Sequence, residues 1–90
     1  MIVVRFKVKC RPERAEEAMA LFQEVVAASR GLEGVLEFDI GRDVSDSDSF
    51  VALEVFEDRA GLDRQEALPV VQRTIGLLGE IAAAEPGRLA

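Results

Sequence analysis

Glu54 is the residue of this chain best placed to do chemistry. It is the single carboxylate inside Phe50-Val51-Ala52-Leu53-Glu54-Val55-Phe56, a run that is otherwise apolar. A carboxyl group among apolar side chains loses the solvation of its charged form, so its pKa rises and it can serve as a general base near neutral pH. The same placement suits a buried ion pair with Arg5 or Arg42, bracing the fold rather than reacting. Arg73 could hold an anionic oxygen of a ligand from the last helix, or lie solvated on that helix's surface. Phe6, Phe22, Phe38, Phe50 and Phe56 could line an aromatic pocket or fill a core. Cys10 is the only cysteine and the chain has no histidine to activate it, so it reads as a small core residue. Asp43, Asp46 and Asp48 have calcium-loop character, but Asp48 stands where such a loop needs glycine. That run reads as a turn bonding its own backbone, and no metal site is expected.

These residues must be positioned by few elements. Val4, Phe6, Val8 and Cys10 alternate with Arg5, Lys7 and Lys9, the period-two signature of a half-buried strand. Pro12 suits the first turn of a helix, and Glu13, Glu16 and Glu17 favour its positive end. Ala15, Met19, Phe22, Val25 and Val26 form the apolar stripe, and Arg30-Gly31 is a conventional stop. Leu36, Phe38 and Ile40 alternate with Glu37, Asp39 and Gly41 in a second strand. Asp43–Ser49 reads as a longish loop, and Phe50–Phe56 as the third strand. That strand carries Phe50, Ala52 and Phe56 on one side and Val51, Leu53 and Val55 on the other. Helices can cover one side, and a second subunit the other.

Asp58 is a candidate N-cap for a short helical stretch running through Leu62 to Leu68. From Pro69, a helix with Val70, Val71, Ile75, Leu78 and Ile81 as its stripe is predicted. Gly76 and Gly79 read as points of close approach, and residues 86–90 as a short final strand. The fold class is therefore α+β, in the ferredoxin-like order β-α-β-β-α-(β), with an antiparallel sheet and helices on one face.

Ninety residues make one domain, over residues 1–90. Yet 49% of them are hydrophobic, a supply that a chain this small tends to cover with a second copy of itself. Homodimerisation through the open sheet face is expected. Net charge is −6 and the basic residues are scattered, which argues against nucleic acid and anionic lipid as partners. Charge at Arg5 and Lys7 interrupts the apolar start before it can form a signal sequence, and no apolar run is long enough to span a bilayer. With one cysteine and hence no internal disulfide, the expected compartment is the cytoplasm.

The chain resembles the antibiotic biosynthesis monooxygenase family of dimeric α/β barrels, which includes small quinol monooxygenases. The resemblance rests on Ile2–Lys9, on Ala27-Ala28-Ser29-Arg30, on Glu33–Asp39 and on Phe50–Asp63. It implies a dimeric α/β barrel and oxygenation of a small aromatic or quinol substrate without metal, flavin or haem. Phe50, Glu54 and Phe56 fall where such proteins carry a phenylalanine, a glutamate and a tryptophan. The family's usual asparagine and histidine positions correspond to Val4 and Gln65. The chain contains no histidine, asparagine, tryptophan or tyrosine, so the usual polar equipment is replaced throughout. Gln65 could donate to a substrate oxygen from the histidine position, or simply be exposed.

Three readings follow. In the first, a cofactor-independent monooxygenase uses Glu54, Gln65 and Arg73 as its polar groups, with Val4, Phe6, Phe22, Phe38 and Phe56 around the substrate. In the second, the same pocket binds a small apolar or aromatic ligand without turnover. In the third, the pocket has closed and the chain is a structural or regulatory dimer.

Overall fold

The computed structural model describes residues 1–83. Strand β1 (Ile2–Lys9) leads through a single 3-10 turn, Pro12–Arg14, into helix α1 (Ala15–Ser29). Strands β2 (Val35–Asp43) and β3 (Asp46–Phe56) follow, then helices α2 (Arg59–Glu66) and α3 (Pro69–Ile81). The three strands form one antiparallel sheet in the order β1-β3-β2, with the helices on one face. This is the ferredoxin-like α+β fold expected from the sequence. The final strand proposed for residues 86–90 lies outside the described residues.

Alternation in β1 holds throughout: Ile2, Val4, Phe6 and Val8 turn inward, while Val3, Arg5, Lys7 and Lys9 are exposed. On central strand β3, Phe50, Ala52, Glu54 and Phe56 are buried beneath the helices. The expected longish loop is instead two residues, Val44 and Ser45, because both strands extend through the acidic run. Asp43 accepts from the Ser45 N–H and Asp46 from the Asp48 N–H, so these aspartates do bond their own backbone. They also pair with Lys7 and Lys9 across the sheet, which keeps a polar segment extended. A bulge between Val35 and Glu37 interrupts the alternation expected of Leu36, Phe38 and Ile40. Leu36 is the extra residue and is turned to solvent rather than to the core.

Helix α1 buries Ala15, Ala18, Phe22, Val25 and also Ser29, a polar residue that the apolar stripe did not include. Helix α2 is capped as expected: the Asp58 carboxylate accepts from the Gly61 N–H at 2.9 Å, a bond whose loss costs about 1 kcal/mol. It packs onto the start of β2 at a glycine pair. A Cβ at Gly61 would sit 2.7 Å from the Gly34 carbonyl oxygen, and Gly34 itself has φ +87°. Gly76 and Gly79, by contrast, have nothing within 4 Å of a notional Cβ, so they mark no close approach. On α3 the buried residues are Val71, Thr74 and Ile81, and Ile75 is half-exposed.

Two apolar clusters fill the space between sheet and helices. One contains Cys10, Ala18, Phe22, Phe50 and Ile81, with the Phe22 and Phe50 rings 5.1 Å apart and tilted by 60°. Cys10 is fully buried there, as a core residue, and burial pushes its thiol pKa up. The other contains Val25, Phe38, Phe56 and Val71.

Candidate functional site

Members of both clusters line a cavity of about 350 Å³ under the sheet. Its floor is Val4, Phe6, Phe38, Ile40 and Glu54, supplied by all three strands. Its walls come from Phe22 and Val25 on α1, Leu62, Gln65 and Glu66 on α2, and Val71, Thr74, Ile75 and Leu78 on α3. Glu66 and Ile75 are exposed, so the opening lies between α2 and α3.

Glu54 points into this cavity because β3 alternates and its even-numbered residues face the helices. It is 8% exposed and makes no hydrogen bond or ion pair among the described residues. The bracing pair is not formed. Arg5 lies on the opposite face of the sheet, and Arg42 pairs with Glu16 and stacks over the Phe50 ring. Burial, with a smaller contribution from the Glu66 carboxylate, pushes the Glu54 pKa up to about 7. At neutral pH the group is therefore divided between acid and base forms, the condition under which a carboxylate can both take and return a proton.

Gln65 is buried rather than exposed, and it lines the cavity. Its Nε2 is turned to the Ser29 Oγ at 3.1 Å, and the carbonyl Oε1 has no donor among the described residues. Its main capacity toward a ligand is thus as acceptor, where a donor was expected. The Thr74 hydroxyl donates to the Val70 carbonyl at 2.8 Å and keeps only its lone pairs free.

Of the expected binding residues, Val4, Phe6, Phe22 and Phe38 line the cavity. Phe56 does not: it is fully buried in the neighbouring cluster, at the strand end where β1 and β2 both pair with it. Arg73 is also placed elsewhere. It lies on the outer side of α3, paired at 2.8 Å with Glu24 of α1, and both side chains are largely exposed. Helical geometry accounts for this, because Thr74, one residue on, faces inward and turns Arg73 away. Glu66 and Thr74 were missed. Thr74 falls three residues after Val71 on the buried side of α3, a spacing that could have revealed it.

Residues 1–76 match the family model for antibiotic biosynthesis monooxygenase. The chain belongs to that family. It is 36% identical over 62 residues to a Bacillus subtilis (strain 168) protein named "Putative monooxygenase YcnE", covering 69% of this chain and 65% of that protein. It is likewise 36% identical over 62 residues to an uncharacterised Synechocystis protein, covering 69% of this chain and 42% of that one. The chain therefore spans less than two thirds of the length of either relative. A crystal structure of an antibiotic biosynthesis monooxygenase superposes with a TM-score of 0.84 at 27% identity, covering 94% of this chain and 90% of that one. The family's fold, with its open antiparallel sheet, is the one described above.

Proposed function

We propose that this family member is a monooxygenase that works without metal, flavin or haem on a small aromatic or quinol substrate, with O₂ as oxidant. The observation that carries the reading is Glu54: a buried, unpartnered carboxyl group facing an apolar cavity large enough for an aromatic ring. A carboxylate so placed is a stronger base than one in water, and a bound phenol offers it a proton.

For a hydroquinone the reaction balances as hydroquinone plus O₂ giving hydroxyquinone plus water. Glu54 takes the phenolic proton, and the resulting electron-rich ring passes one electron to O₂. Recombination forms a bond from ring carbon to oxygen, and Glu54 returns its proton to give a ring hydroperoxide. Glu54 then takes the hydrogen on that carbon as a proton while the O–O bond breaks, which yields a carbonyl. The departing hydroxide leaves as water with the proton that Glu54 returns. All reducing electrons come from the substrate. Gln65 Oε1 accepts from a ring hydroxyl, and Val4, Phe6, Phe22 and Phe38 exclude water. Arg73 has no part in this scheme.

The active form in this reading is a homodimer assembled through the open sheet face, and the chain acts as one domain in the cytoplasm. Val3, Leu36 and Leu53 are exposed on that face. Beside them lie basic Arg5 and acidic Glu37 and Asp39 on the opposite edge strands, an arrangement that a two-fold axis would make complementary to itself. No helix among the described residues is long and apolar enough to cross a membrane.

The test is oxygen uptake by the purified protein over a panel of quinols and anthrone-like phenols, against an autoxidation blank. Uptake that falls in Glu54→Gln supports the reading. Uptake no greater than the blank from either protein refutes it and leaves ligand binding without turnover as the use of the cavity.

A further inference from the structure

With Glu54 ionised, the polar groups facing the cavity are nearly all hydrogen-bond acceptors. Glu54 is more than nine-tenths buried, aims into the space and has no partner among the described residues. Glu66 adds a second carboxylate at the opening. The Thr74 hydroxyl hydrogen is committed to the Val70 carbonyl, so its oxygen faces a ligand only through lone pairs. The Gln65 amide nitrogen is turned to Ser29, leaving at most one N–H for a ligand against a free carbonyl oxygen. Among the described residues, no arginine or lysine lines the cavity. Backbone N–H groups of the central strand β3 are taken up by the ladders to both its neighbours, and those within α1 and α3 by helical turns.

A ligand that carries only acceptors would place a carbonyl oxygen against carboxylates and leave itself unsatisfied among apolar walls. A ligand with an O–H or N–H satisfies Glu54 directly, and the bond is strengthened by charge. We propose that this cavity selects by hydrogen-bond donation, binding an apolar ring that bears a hydroxyl or amino donor and rejecting the same ring bearing only a carbonyl, with Ser29 as the positioning residue that holds the Gln65 amide in its accepting orientation. This deepens the reading of the site as one for a reduced aromatic. Oxidation converts the donor hydroxyls of a quinol to carbonyls, so the product loses the contacts that held the substrate, and release follows from the chemistry.

The experiment needs no turnover. Calorimetric titration at pH 8, where Glu54 is mainly carboxylate, compares 1-indanol with 1-indanone, which share a skeleton and differ in donor against acceptor. The expected result is at least about tenfold tighter binding of the alcohol. In Ser29→Ala, checked for folding by circular dichroism, the Gln65 amide is freed to turn its N–H groups inward. The ketone should then gain at least about threefold in affinity, which narrows the ratio. A merely structural loss at Ser29 would weaken both ligands together. Equal binding of alcohol and ketone by the unaltered protein, tighter binding of the ketone, or binding of neither overturns the proposal. Failure of oxygen uptake with the alcohol preference intact would remove the oxygenase and leave the donor selection standing.

Discussion

The two faces of β3 invert the usual arrangement of a half-buried strand. Its covered face carries Glu54 among Phe50, Ala52 and Phe56, whereas its uncovered face carries Val51, Leu53 and Val55. A domain folding only for stability would put the charge outside and the aliphatic residues inside. Burying an unpaired carboxyl costs free energy, and leaving Leu53 40% exposed forgoes a gain. Each departure fits the proposed function, which puts a proton-bearing ligand on one face and a second copy on the other.

The strongest way to break this comparison is to remove the charge within. Glu54→Gln keeps the shape of the cavity floor and deletes the base. Oxygen uptake should fall about a thousandfold. In the parent protein, the rate should rise with pH through about 7, as the Glu54 carboxyl loses its proton. A variant that retained a tenth of the activity, or a pH profile flat across that range, would strip Glu54 of its role.

A converse substitution puts charge outside where the strand is apolar. Leu53→Arg leaves the cavity untouched, since residue 53 points away from it. It should raise the dissociation constant of the dimer about a hundredfold, because an uncompensated guanidinium would be buried at the pairing surface. Light scattering should show the mass moving toward the 9.8 kDa of one chain. Unchanged mass would mean that the open face is not where copies meet.

Stability offers a quieter test of the same inversion. The folded protein holds the Glu54 proton up to about pH 7, whereas the unfolded chain releases it near 4.5. Between those values the native state binds more protons. The stability that the neutral carboxyl allows is complete below about pH 4.5 and is lost as pH rises through about 7. The loss is on the order of 2 kcal/mol, since the cavity opening lets water relieve part of the burial. Glu17, Asp43 and Asp46, whose pKa values are lowered by Arg14, Lys7 and Lys9, act in the opposite sense and at lower pH. Urea midpoints of the parent protein and Glu54→Gln, compared at pH 5 and pH 8, isolate the effect. The parent should lose ground to the variant at pH 8.

Much of this is legible in the sequence. Period-two alternation in β1 and β3 sets which residues face the helices, and that is enough to send Glu54 inward with Val4, Phe6 and Phe38. Asp58 announced its helix by chemistry alone. The sequence was silent where tertiary contacts override local pattern. Polar residues of the acidic run became strand where the Lys7 and Lys9 ammonium groups reach Asp43 and Asp46, a tertiary contact rather than a local propensity. Leu36 was lost to a bulge that shifts alternation by one residue. Ser29 and Gln65, a polar pair separated by 36 positions, are buried only because each satisfies the other. Phe56 was expected around the ligand, but the end of β3 is where the sheet closes over it.

Arg73 supplies the smallest expected effect and the sharpest boundary to the site. As the sequence reads, an arginine on the last helix could reach a phenolate, and its side chain is long enough to make that tempting. On α3, however, the inward positions are Val71 and Thr74, and Arg73 lies between them in sequence but on the opposite side of the helix, where Glu24 holds it. An exposed ion pair of this kind contributes little, because solvent screens it and two long side chains must be ordered to form it. Arg73→Ala should therefore change the unfolding free energy by less than about 0.5 kcal/mol and leave oxygen uptake within about twofold of the parent. A tenfold loss of uptake with stability unchanged would mean that the guanidinium leaves Glu24 and swings over the opening when substrate arrives. The cavity would then hold a cation as well as its carboxylates, and the selection for donors would weaken with it.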